Sequence, residues 1–122
     1  MSKKRKVIEI RLILGRSTVN LMLQIIAPYI ETIEDVGDYK ELIWRYLLLE
    51  LHRKLMETTI EVEDEYDFVL RHYQALAFWE LINRVDVTDY DWAEYEMYLY
   101  EKLYASLIVK LNLPHLNLPT LD

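Results

Sequence analysis

The stretch DEYDFVLRHYQALAFWELINR, residues 64–84, carries a heavy apolar load, and the architecture turns on how it is read. Phe68, Ala75, Trp79 and Ile82 recur along one side of a helical projection. Val69 and Leu76 form a second line, and Tyr66, Leu70, Tyr73, Ala77 and Leu81 a third. The spacing predicts a helix over about Asp64 to Arg84 that is apolar almost all round. Such a helix is central in its domain or lies against a second copy.

Upstream, Asp38-Tyr39-Lys40-Glu41 has the acid-x-x-Glu form of a capping box, and a helix follows to about Glu57. Its main stripe is Trp44, Leu47, Leu48, Leu51 and Leu55, and Lys40, Arg45, Arg53 and Lys54 make it basic. Leu42, Leu49 and Met56 repeat every seven residues on another side, which makes them the candidate dimer seam. An earlier helix is expected from Ser17, as N-cap, to Ile33, with Pro28 kinking it on the polar side. Downstream, Thr88 with Asp91 three residues on caps a last helix running to about Leu111, before Pro114.

Val7 to Leu14 alternates, with Ile8, Ile10, Leu12 and Leu14 on one face, and reads as a strand. Its partner is sought in Ile108-Val109 or in the same strand of a second chain. Leu-Asn-Leu-Pro occurs at residues 111–114 and again at 116–119, which predicts an extended arm over residues 112–122, and residues 1–6 form a basic terminus. The fold class expected is therefore all-α: an up-down bundle of about four helices, with one short N-terminal β-strand and the Leu/Pro arm. About three quarters of the chain should be helical, in a single helical domain over residues 1–122.

Composition agrees with that class. The 122 residues are 52% apolar and 29% charged, which suits one folded domain. Two glycines and three prolines supply few turns for an all-β fold. The lack of cysteine excludes a disulfide scaffold and thiolate metal sites, and suits a cytoplasmic protein. The apolar run Val19 to Ile30 is too short to span a bilayer, and no leader with a cleavage site follows the basic start. A soluble protein with no membrane contact is the expectation.

The net charge of −7 is unevenly spread. Twelve carboxylates against Arg71 and Arg84 give −10 over residues 61–101, and the rest of the chain is at +3. Acids at helix starts cap and complement the dipole, which accounts for Asp64, Asp67, Asp89 and Asp91. Seven of the ten tyrosines lie between Tyr66 and Tyr104. Asp91, Glu94, Tyr95, Tyr98 and Glu101 are the candidate partner-binding residues: tyrosine offers rigid contact area, and acids complement a basic protein surface. That surface repels nucleic-acid phosphates and is able to imitate them. Glu96 falls in the apolar arc of Trp92, Leu99, Tyr100, Leu103 and Leu107, and calls for a cation such as Arg45 or Arg53.

Catalytic patterns are sparse. His52, His72 and His115 follow no Glu-x-x-His or His-Glu-x-x-His spacing. Gly15-Arg16-Ser17 opens a helix and allows one anion contact, but no Gly-rich phosphate loop exists. Ser17, Thr18 and Ser106 have no neighbouring His–acid pair in sequence. No catalytic, cofactor or metal residues are assigned. Glu31 and Glu34 with Glu61 and Asp64 resemble the paired acids of all-α magnesium-dependent nucleotide pyrophosphohydrolases, an alternative the helix-edge positions do not favour.

The basic start, the strand and two following helices resemble ribbon-helix-helix DNA binders, in which strands from two chains pair and enter the major groove. Lys3, Lys4, Arg5, Lys6, Arg11 and Arg16 against Glu9 put +5 on residues 1–16, and Asp38 to Ile43 resembles the start of that family's second helix. The resemblance implies a dimeric DNA-binding regulator using residues 1–16. The strand's outward side, with Val7, Glu9, Arg11 and Ile13, suits base edges poorly. The reading of the residues is instead a small acidic, non-enzymatic homodimer that binds a basic protein surface. It would serve as an inhibitor or accessory factor, of the kind phages and mobile elements carry.

Overall fold

The computed structural model describes residues 9–111, and the basic terminus and the Leu/Pro arm lie outside them. Along the chain run strand β1 (Glu9–Gly15), helix α1 (Arg16–Glu31), helix α2 (Tyr39–Thr58), strand β2 (Glu65–Arg71), helix α3 (His72–Arg84) and helix α4 (Glu94–Lys110). Short 3-10 turns at Ile33–Asp35 and Val87–Asp89 precede α2 and α4. Helix, counting these turns, makes up 70% of the described residues.

The expected long third helix is corrected at its front end: residues 65–71 are extended. Tyr66, Phe68 and Leu70 are buried, while Glu65, Asp67 and Arg71 are exposed. That is strand periodicity in β-favouring residue types. The chain enters α3 with no loop, because Arg71 keeps an extended backbone and donates its N–H to Gln74 Oε1 at 2.8 Å. The partner of β1 is corrected with it. β1 pairs antiparallel with β2, Glu9 opposite Arg71 through Leu12 opposite Phe68 to Gly15 opposite Glu65. Neither residues 108–109 nor a second chain supplies the pairing, so the need for a partner strand no longer argues for a dimer.

The chain is thus a β-α-α unit followed by another. β1 and β2 stand 56 positions apart, and the buried residues follow the same offset. Ile10, Leu12 and Leu14 correspond to Tyr66, Phe68 and Leu70. Thr18, Val19, Leu21, Met22, Ile25 and Ile26 of α1 correspond to Gln74, Ala75, Ala77, Phe78, Leu81 and Ile82 of α3. Leu12 and Phe68, opposite each other in the ladder, are also equivalent in the repeat, so a local two-fold axis passes between them. The four helices expected are present, with the ribbon added to them: α2 lies against α1 and α3, and α4 against α1 and α3, so each also reaches the other unit. The inward side of the ribbon and one face of every helix make one continuous apolar cluster.

The link between units is held by backbone and side chain together. Tyr66, its ring buried, accepts from the Glu63 N–H and donates to the Glu61 carbonyl, both at 2.9 Å. Arg16 donates its N–H to the Asp64 carbonyl at 3.2 Å and its Nε to the Glu63 carbonyl at 3.2 Å. Helix α1 starts at Arg16 with Gly15 as N-cap, two residues before the expected cap Ser17, and Pro28 is exposed three residues from its end. Asp38 caps α2 as read, accepting from the Glu41 N–H at 3.1 Å.

Candidate functional site

The site begins with where α4 starts. Asp86 accepts from the Thr88 N–H at 3.0 Å and from its hydroxyl at 2.6 Å, which spends Thr88 on the 3-10 turn. These bonds hold the Asp86 carboxyl below its usual range. Residues 90–93 then run outside helix, and α4 begins at Glu94 behind Ala93 as N-cap. The expected Thr88 cap is therefore corrected, and so is the partner of Glu96. With the helix starting later, Glu96 occupies the third position and accepts from the Ala93 N–H at 2.8 Å. It is partly exposed and satisfied by the backbone, needing neither Arg45 nor Arg53.

Aromatic packing fixes this lead-in. Trp92 stacks on Tyr90 at 4.6 Å between ring centres, sits 5.4 Å from Tyr100, and donates its Nε1 to Gln24 of α1 at 3.4 Å. Tyr100 donates to the Ile82 carbonyl at 2.7 Å, and Tyr104 lies 4.8 Å from Trp79. Burial pushes the phenols of Tyr90 and Tyr100 up, with nearby tyrosines and Asp89 adding to it. These tyrosines are structural. Tyr95 and Tyr98 are not, at 58% and 57% exposed.

All five candidate partner-binding residues are exposed. Glu94, Tyr95, Tyr98 and Glu101 stand on the first two turns of α4, and Asp91 precedes the helix. Among the described residues, Asp91, Glu94 and Glu101 enter no ion pair, and Lys102 lies 5.8 Å above the Tyr98 ring.

The basic face of α2 is spent differently. Arg45 binds Glu41 at 2.9 Å and the Thr32 hydroxyl at 2.8 Å, and Arg84 of α3 binds Glu41 and Glu80 at 2.9 Å each. Arg84 also lies 4.0 Å over the Trp44 ring. Burial works against the Glu41 charge, but the hydrogen bonds from Arg84 and Arg45 outweigh it and hold the carboxyl below its usual value. In the candidate dimer seam Leu42 and Leu49 are half-buried and Met56 is 52% exposed. His52 and His72 are half-buried, and burial pushes the His52 imidazole down.

Glu31, Glu34, Glu61 and Asp64 are exposed at a helix end, in a turn and in the link between units. Among the described residues no three His, Asp or Glu side chains converge as a metal site would require, and no helix is long and apolar enough to cross a membrane.

The outward side of the ribbon was half legible: Glu9, Arg11 and Ile13 face out as expected. The other half was missed with β2 and adds Glu65, Asp67, Val69 and Arg71. Arg11 is 3.1 Å from Asp67 across the ladder. Comparison with protein-family models, curated proteins and solved structures returns no match to this chain.

Proposed function

We propose that this protein is a non-enzymatic binding module that grips a basic surface of another protein through the start of α4. The observation that carries the reading is the set of exposed carboxylates at Asp91, Glu94 and Glu101, in no ion pair among the described residues, around the exposed rings of Tyr95 and Tyr98. Rigid aromatic area among such carboxylates has as its complement a cationic patch of the sort that binds nucleic acid. The role is that of an inhibitor or accessory factor in the cytoplasm. Glu94→Lys with Glu101→Lys should abolish capture of the partner from a lysate of the native host, and raising salt should weaken capture by the unaltered protein. Capture that survives both changes defeats the proposal.

One observation favours a second reading. Two β-α-α units joined by an antiparallel ribbon suit a DNA-binding regulator, here complete within a single chain. The ribbon's outward carboxylates, Glu9, Glu65 and Asp67, outnumber Arg11 and Arg71 and face where phosphates would lie. Retardation of duplex DNA that is lost with Arg11→Ala and kept in the Glu94/Glu101 double variant would place the protein in that class instead.

A further inference from the structure

Beside the β1–α1 junction lies an open cleft of about 460 Å³, a size typical of small-ligand sites. At the equivalent junction of the other unit, beside an open groove of about 750 Å³ that Tyr46, Glu50 and Gln74 help to line, the polar positions are bonded to one another. There Gln74 accepts from the Arg71 N–H at 2.8 Å and donates its Nε2 to Glu50 at 2.7 Å, bridging α3 to α2. The repeat places Gly15, Thr18 and Ser106 where Arg71, Gln74 and Glu50 stand, and all three line the cleft.

Thr18 and Gln74 are the buried polar residues of the described core. Gln74 is satisfied. Thr18, 9% exposed, has no hydrogen-bond partner among the described residues, and no polar side-chain atom there is sealed off without one. Its hydroxyl therefore opens to the cleft it lines. α1 begins at the same spot with no side-chain cap and no acid in its first turn, leaving amide donors and the positive end of the helix. Arg16 is committed to the Glu63 carbonyl and to Asp64, 3.6 Å away, whereas Lys102 on the cleft wall is in no ion pair among the described residues. Leu14, Leu99 and Leu103 supply apolar wall.

We infer that this cleft binds a small organic monocarboxylate. Its carboxylate takes the place of the Gln74 carboxamide, accepts from the Thr18 hydroxyl and the first-turn amides of α1, and faces Lys102; its apolar body lies on Leu99 and Leu103. Asp64 and Glu65 on the rim disfavour ligands of higher charge, nucleotides included.

The test is amide NMR of the whole protein titrated with benzoate, and with benzyl alcohol as the uncharged counterpart. Benzoate should shift the Ser17 and Thr18 amides saturably and leave Tyr73 and Gln74 unmoved, while benzyl alcohol should not saturate. Thr18→Gln, which installs the side chain the other unit carries at this position, and Lys102→Met, on an exposed side chain that keeps the fold intact, should each weaken benzoate roughly tenfold. The inference is overturned if benzoate leaves Ser17 and Thr18 unshifted, if benzyl alcohol matches it, or if Lys102→Met binds as the parent does.

Discussion

Residues 9–60 and 61–111 build the same β-α-α unit, yet the first carries eight carboxylates against six cations and the second twelve against four. Their interiors agree position for position through strand and first helix, from Ile10 and Tyr66 to Ile26 and Ile82. Their surfaces do not. In the first unit Arg45 is tied to Glu41 and Lys54 donates to the Val69 carbonyl of β2. In the second, the matching helix leaves Glu94 and Glu101 without an ion pair among the described residues. Shape is held by what each unit must bury against the other, and charge is left free to diverge.

The comparison is broken most severely at the two-fold axis. Phe68→Ala should destabilise by about 4 kcal/mol and Leu12→Ala by about 3 kcal/mol in urea unfolding, since both are 2% exposed. Being opposite one another, the pair should be non-additive in the double variant. Next come the polar core positions. Gln74→Ala, which strands the Arg71 N–H and Glu50, should cost about 2 kcal/mol, whereas the equivalent Thr18→Val should change stability by less than about 0.5 kcal/mol. Equal losses would show that the two junctions are alike after all.

Two groups of α2 in the first unit, His52 and Glu41, should respond to acid. The His52 pKa is depressed by burial, so its contribution is whole above the unfolded value of 6.5 and is lost as pH falls toward the folded one. Glu41 is also depressed, so its contribution is present above 4.5 and disappears as pH falls through its folded value. Stability measured against pH should decline in two stages. His52→Gln should remove the upper stage, and Glu41→Gln should reduce the lower one, to which Asp86 also contributes, at a neutral-pH cost of about 1 kcal/mol. The smallest effect belongs to the second unit's surface: Glu94→Lys with Glu101→Lys should alter unfolding free energy by about 0.5 kcal/mol or less.

The helical periodicity of α1, α2 and the later part of α4 was plain in the sequence, as was the alternation of β1. What hid β2 was the lack of a loop before α3. Tyr66, Leu70, Tyr73 and Ala77 satisfy a helical spacing while Tyr66, Phe68 and Leu70 satisfy a two-residue one, and only the likeness of EYDFVLR to EIRLILG separates them. The start of α4 was hidden because Thr88 and Glu96 are both good capping residues, and Asp86 decides between them. The exposed acids and tyrosines were legible by composition and helical projection. The cleft was not, because its walls come from β1, α1, the start of β2 and α4, which only the fold brings together.

The pairing of β1 with β2 bears on how the chain comes to be made. Glu9–Gly15 leaves the ribosome long before Glu65–Arg71 is synthesised, so a nascent chain carries a strand whose edge has nothing to bond. Because the two units bury equivalent positions, the closest substitute for β2 is β1 of another nascent copy on the same message. The short link at residues 59–64, fastened by Tyr66 and Arg16, then favours closure within one molecule over exchange between two.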